Sequence, residues 1–272
     1  MTMKEMTMKA NLMILALLSG VMTLDAGDWG KAPVGKTPIE ECVDLGGRIS
    51  AGYETDYMFD GVRFARDSVW ADVAYTYEGL PMPVTVGAWY LNGINGSAFG
   101  GGFDQLNLYA SAELGTYAGF DLFLGYTHYV FPEFRSNIAP LGGYGELNFD
   151  VKRSLGPVDL RYSMDYAMGG GGFAPQGWYH EVGAEKTFSL TDTIGLRLSA
   201  GVAYTDGYWG PSGWNHYYAR LALPVALNCR TTLTPYVGYL GAPDTWVVDG
   251  AFGADSPQSD ILHGGVSLSI TF

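Results

Sequence analysis

Basic residues are scarce. The 272-residue chain carries 15 Lys and Arg against 28 Asp and Glu, a formal net charge of −13. That balance argues against a nucleic-acid partner, whose phosphates want Lys and Arg. Charge of either sign is low, at 16%. Disordered chains are rich in charge and poor in aromatics, and here aromatics reach 14%, led by 19 Tyr. Cysteine is almost missing, with two residues. Beyond Leu24 no stretch is long and apolar enough to span a membrane as a helix, which takes about 20 residues. Gly is abundant instead, at 39 residues, and hydrophobic content is 47%. Gly, Tyr and sparse charge suit strands and turns better than helices.

The first 26 residues have the order of a secretory signal. Lys4 and Lys9 precede the apolar run "LMILALLSGVMTL", Leu12–Leu24, and cleavage is expected after Ala26. Residues 27–46 show no periodicity, contain Pro33 and Pro38, and read as a flexible leader.

From residue 47 the pattern alternates with period two. In the last segment Leu262, Gly264, Val266, Leu268, Ile270 and Phe272 share one face. His263, Gly265, Ser267, Ser269 and Thr271 share the other. Successive side chains of a strand point to opposite sides, so each such segment is a ribbon with one oily and one mostly polar face. Twelve strands are predicted, at 47–59, 68–78, 83–92, 104–115, 119–131, 144–154, 158–168, 177–189, 194–205, 214–226, 231–241 and 260–272. Helical spacing fails, because it would scatter charge around every face.

The charges separate by face. On the polar faces fall Glu54, Asp56, Asp72, Glu113, Asp121, Glu146, Asp150, Asp159, Asp165, Glu181 and Glu185, with Arg48, Lys152, Arg161, Arg197 and Arg220. The oily faces carry only Arg153 and Lys186, near strand ends where long stems can snorkel. The connections alternate between short ones, such as "GTYA" and "SLGP", and longer ones, such as "GVRFARD" and "NGINGSAFGGGF". Aromatics collect at two heights on the oily faces: Tyr57, Phe59, Tyr90, Tyr126, Tyr166, Trp178, Tyr204, Tyr217 and Tyr239 at one, Tyr75, Tyr77, Phe188 and Phe272 at the other. Alternating loop lengths and paired aromatic girdles are features of a transmembrane β-barrel. The expected fold is therefore all-β: an antiparallel up-and-down barrel of twelve strands over 47–272, in an outer membrane, with both termini periplasmic. Strands about 4.8 Å apart, tilted about 40°, give such a barrel a backbone radius near 12 Å, intermediate between packed and open barrels.

The first strand ends in Asp56-Tyr57-Met58-Phe59-Asp60-Gly61. This resembles a family of Gram-negative outer-membrane β-barrels that open with a DYxFRG-like pattern, Asp60 standing where that pattern has Arg. The C-terminal Phe272 resembles the end signature that the barrel-insertion machinery recognises. The resemblance implies architecture and location, and no activity.

Eleven acids against five bases on the polar faces point to a wet lumen that favours cations or neutral solutes. The same residues can brace the wall, with Arg161, Arg197 and Arg220 paired to Asp159, Asp165 and Glu181. Cys42 and Cys229 both fall on the periplasmic side, where a disulfide can form. Two free thiols or a bond to another chain remain open. His128 and His180 fall on oily faces with no Ser or Cys opposite, so a nucleophile–base pair is missing and no enzyme is expected. His216 and His263 face the lumen without the clustering a metal needs, and no cofactor motif occurs. The expected function is a passive porin-like channel for small polar solutes, with outer-membrane lipid and the insertion machinery as partners. The alternative is a non-conducting structural or surface-binding protein that works through its outer loops.

Overall fold

The computed structural model describes residues 45–133, 143–169, 176–243, 246 and 260–272. The signal segment, nearly all of the leader and Cys42 lie outside them. The strands are β1 (Gly47–Phe59), β2 (Val62–Tyr77), β3 (Val84–Gly93), β4 (Phe103–Tyr117), β5 (Phe120–Val130), β6 (Tyr144–Leu155), β7 (Val158–Met168), β8 (Gln176–Ser189), β9 (Gly195–Asp206), β10 (Gly213–Ala222), β11 (Thr231–Gly241) and β12 (Ile261–Thr271). A two-residue strand, Val225–Ala226, adds a short pairing to β11. Each long strand pairs antiparallel with its neighbours in sequence. The ring closes where β1 meets β12, from Arg48 opposite Thr271 to Glu54 opposite Gly265. Backbone bonds of 2.9 Å in both directions between Gly47 and Phe272 complete that seam. The fold is a closed, all-antiparallel, up-and-down transmembrane β-barrel of twelve strands.

The alternation of the sequence sets which way side chains point. Ile49, Val73, Val86, Leu108, Leu124, Leu147, Val182, Leu198, Val237, Leu268 and Ile270 are all exposed on the outside. An apolar exterior is destabilising in water and required in hydrocarbon. The two outward cations sit against rings: Arg153 lies 4.6 Å from the Phe120 ring centroid and Lys186 lies 4.4 Å from that of Phe188.

The hydrophobic core lies inside one end of the cylinder. That end, opposite the termini, is the far end. Here the β1–β2 hairpin differs from expectation. The segment Gly61–Asp67, expected as a loop, is mostly strand, and β1 and β2 are joined by Asp60 and Gly61 alone. Both residues have positive φ, 46° and 82°, as a two-residue type I′ turn requires. A register shift at Tyr57 and Met58 bends the hairpin. Beyond Asp67, itself at φ 47°, the chain leaves the β3 ladder: Ala65 bridges to Ser97, and the Ala98 N–H donates to the Phe64 carbonyl at 2.9 Å. The hairpin tip thereby turns inward. Tyr57 and Phe59, expected at the lipid interface, instead join the interior cluster. Tyr57 packs on Trp89 and Phe103, and Phe59 packs on Tyr129 and Trp209. The physical reason is the aromatic content of both arms: Tyr57, Phe59 and Phe64 bury far more area against each other than at the headgroups.

Strand ten also ends earlier than expected, at Ala222 rather than 226. Pro224 follows, has no N–H, and cannot continue the ladder. Away from the plug, glycines let large rings lie along the wall. A Cβ on Gly201 would come within 2.7 Å of the Tyr218 ring, and one on Gly87 within 2.3 Å of the Tyr109 ring.

Two outcomes follow from this packing. Val182, exposed to lipid in β8, should not tolerate charge: Val182→Arg should lower unfolding free energy in bilayers by about 2–4 kcal/mol, whereas Ser199→Arg, on the lumen side of β9, should cost no lipid penalty. Urea titration of the refolded barrel checks this; equal effects at the two sites would contradict the assigned faces. At the hairpin tip, a Cβ on Gly61 would stand 2.3 Å from His216 Nδ1 with φ at +82°. Gly61→Ala should therefore cost about 1–3 kcal/mol and loosen the tip. Limited proteolysis reads this as new cleavage in the β1–β2 hairpin, and unchanged resistance would count against a tight seat.

Candidate functional site

The barrel interior divides into an aromatic plug at the far end and a wet chamber below it. Phe64, Phe99, Phe103, Phe131, Tyr144 and Tyr208 are all buried in the plug. The hairpin tip is fastened there through its turn. The Asp60 carbonyl accepts from Trp209 Nε1 at 3.1 Å and from Asn215 Nδ2 at 2.8 Å. The Asp60 carboxyl lies 2.7 Å from the Tyr208 hydroxyl, which lies 2.6 Å from Glu146 Oε2. Glu146 Oε1 also accepts from Tyr129 at 3.0 Å and from Asn148 at 2.7 Å. Burial first, and the facing Glu146 second, push the Asp60 carboxyl well above the usual carboxylate range. The plug residues Asp60, Phe64, Tyr208 and Trp209 are absent from the sequence-predicted site. A signal for them exists: Asp-Gly between two aromatic runs, "YMFDGVRF", is a strong tight-hairpin dipeptide.

Beneath the plug a chamber of about 810 Å³ runs from Lys152 and Asp159 near the terminal end up to Asp60, Gly61 and His216. A side cavity of about 270 Å³, lined by Glu146, Asn148, Asp150 and Asp165, reaches Asp60 from another wall. Most of the predicted lumen residues line these spaces or the mouth below them. Glu54 accepts from Tyr236 at 3.0 Å, and Glu181 accepts from Tyr179 at 2.9 Å and Tyr218 at 3.0 Å. Asp165 accepts from Asn148 at 2.9 Å. Glu113 is exposed, and Asp121 takes a bond from the Thr116 hydroxyl. Asp56 pairs with Arg63 at 3.2 Å, and Asp72 with Arg48 at 2.8 Å.

The bracing pairs differ from those expected. Arg161 binds Asp150 through Nε at 3.0 Å and Nη2 at 2.9 Å, not Asp159 or Asp165. Arg197 pairs with Glu185 at 3.6 Å. Arg220 stacks on the Tyr236 ring at 3.7 Å instead of meeting Glu181. The reason is register. Arg161 stands opposite Lys152, and Asp150 is its diagonal neighbour on the same face; Arg197 stands opposite Thr187, with Glu185 diagonal. Glu54, Glu146, Asp165 and Glu181 form no ion pair among the described residues.

His128 and His180 face outward and contact Tyr126 and Tyr162, at 3.4 and 2.9 Å. His216 and His263 face inward, as expected, each with Nδ1 unpaired. Among the described residues no group of His, Cys, Asp and Glu is arranged to hold a metal. Cys229, in the turn after β10, is disulfide-bonded. Phe272 lies against Gly47 at the seam.

No protein-family model matches the chain, and no curated protein matches it. Solved structures do. An outer-membrane channel from Pseudomonas putida F1 superposes with TM-score 0.53 at 12% identity, over 92% of this chain and 100% of that one. The KdgM porin, solved in complex with disordered oligogalacturonate, superposes with TM-score 0.51 at 9% identity, over 83% of this chain and 99% of that one. The likeness extends to outer membrane phospholipase A from Escherichia coli, at TM-score 0.43 and 14% identity, over 82% of this chain and 91% of that one. A barrel named as an enzyme thus stands among the similar structures. The expectation that this chain is no enzyme, drawn from a missing nucleophile–base pair, is corrected: the fold contains no such exclusion. The fold is that of the outer-membrane β-barrels.

Proposed function

We propose that the protein is an outer-membrane channel for small cationic or neutral solutes, closed in this state by its own first hairpin. The terminal end faces the periplasm in this reading, and the far-end loops face outward. The observation that carries it is the electrostatics of the chamber. Among the described residues, Glu54, Asp165 and Glu181 reach the lumen with hydrogen-bonding partners but no ion-pair partner, against Arg220 and Lys152, which rest on the Tyr236 and Phe123 rings; Arg161 and Arg197 are held by Asp150 and Glu185. Carboxylates in excess in a narrow wet passage attract cations and repel anions.

The plug favours a second reading. A barrel filled at one end can work without conducting, as a structural or surface-binding protein that uses its far-end loops.

Planar-bilayer recording separates the two. Steady current from the wild type, or from a Phe59→Ala/Trp209→Ala variant with the plug thinned, supports the channel. Silence in both supports the second reading. If current flows, Glu54→Gln, Asp165→Asn and Glu181→Gln together should move the reversal potential in a salt gradient toward lower cation preference. An unchanged reversal potential would defeat the selectivity claim and leave the channel standing.

A further inference from the structure

A phenolic hydroxyl has one hydrogen to give and lone pairs to accept with. Tyr208 Oη lies 2.7 Å from Asp60 Oδ2 and 2.6 Å from Glu146 Oε2. If both carboxyls were ionised, only one could take the Tyr208 hydrogen. The other contact would press two unprotonated oxygens together out of water, which is strongly unfavourable. One carboxyl must therefore hold a proton and donate it to the Tyr208 oxygen.

The surrounding bonds say which one. Glu146 already accepts from Tyr129 and Asn148 on its other oxygen. Three donors stabilise its ionised form. Among the described residues, Asp60 has only the Tyr208 contact at its carboxyl. Tyr208 then donates to the Glu146 carboxylate, and the Asp60 carboxyl donates to Tyr208.

The charged and titratable groups around the tip point the same way. Glu146 on β6, Asp165 on β7 and Glu181 on β8 all act on Asp60 with like charge. The hydroxyls of Tyr57, Tyr129, Tyr144 and Tyr179 line the pocket from β1, β5, β6 and β8. On β10 the His216 ring abuts Gly61. Arg161 borders the same cavity, but Asp150 engages its guanidinium.

We propose that the seated plug binds one proton on Asp60, and that losing this proton unseats the β1–β2 hairpin. The unseating opens the lumen, a step that rests on the channel reading. The sign follows from linkage. Seated, Asp60 holds its proton to higher pH than it does when freed into water. The seated state is therefore favoured in acid and lost as pH rises. One proton makes the unseated-to-seated ratio climb about tenfold per pH unit through the titration.

The test uses the full-length barrel in lipid between about pH 5 and about pH 9. Infrared spectra should show a protonated-carboxyl C=O band in the acid range that Asp60→Asn removes. Hydrogen–deuterium exchange of the β1–β2 hairpin, corrected for the chemical rate, should rise as that band disappears. Asp60→Asn removes the titrating group, so it should flatten the pH response of exchange. Glu146→Gln leaves Asp60 buried but without the facing charge, so it should keep the response and move it to lower pH. Heat-modifiable electrophoretic mobility confirms that a variant is folded; if only one variant folds, its own expected outcome is the one read. A missing band in the acid range, or exchange that ignores pH in the wild type, overturns the proposal. Current recorded in parallel keeps the two readings apart. A hairpin that unseats with pH in a silent bilayer ends the channel and keeps the proton switch; current that is independent of pH does the reverse.

Discussion

Hydrocarbon offers a peptide group no hydrogen-bond partner, so each N–H and C=O that crosses it must be paired within the protein. The β1–β12 seam satisfies that constraint here. Without it, the edges of β1 and β12 would lie open in lipid. With it, the chain can be oily outside and wet inside, and every other feature follows. Ile49, Leu268 and Ile270 face outward beside the seam, while Ser50 and Ser269 join across it on the inner side at 2.9 Å.

Inside the ring, the same alternation assigns polar side chains to a space too narrow for bulk water to screen fully. Carboxylates there are held in three ways. Some meet a guanidinium, as Asp72 meets Arg48 and Asp150 meets Arg161. Others meet tyrosine hydroxyls, as Glu54 and Glu181 do. The rest take bonds from side-chain amides or hydroxyls, as Asp165 does from Asn148 and Asp121 from Thr116, or sit exposed near the mouth, as Glu113 does. Tyrosine is well suited to the second task, since its ring packs on the wall while its hydroxyl reaches a carboxylate. This gives a physical place to much of a tyrosine content that composition alone could only associate with strands.

The sheet was legible because period two survives any change of neighbour. Leu196, Leu198, Ala200 and Val202 alternate with Gly195, Arg197, Ser199 and Gly201 whatever lies beside them, and β9 follows that pattern. The first hairpin was not legible by the same rule. Tyr57 and Phe59 continue the outward parity of Tyr53; the whole tip is turned inward beyond Asp67, whose positive φ takes the chain off the β3 ladder, and the extra residue Phe64 on β2 adds a bulge there. Neither device shows in composition. The bracing pairs were misassigned for a related reason. Facing strands were known, but the diagonal offset that brings Arg161 to Asp150 depends on a register that turn lengths set. The Asp60–Tyr208 contact spans 148 residues and could not be read from any local window.

That separation has a bearing on assembly. The hairpin tip is made early in the chain, yet its seat is built from Glu146, Tyr208 and Asn215, most of the way to the other end. Contacts so distant in sequence form late, after the entropy of closing the intervening loop has been overcome. The staves that carry Glu146 and Asn215 must therefore stand before the stopper can enter, and a docked tip is a sign that at least those staves are already in place.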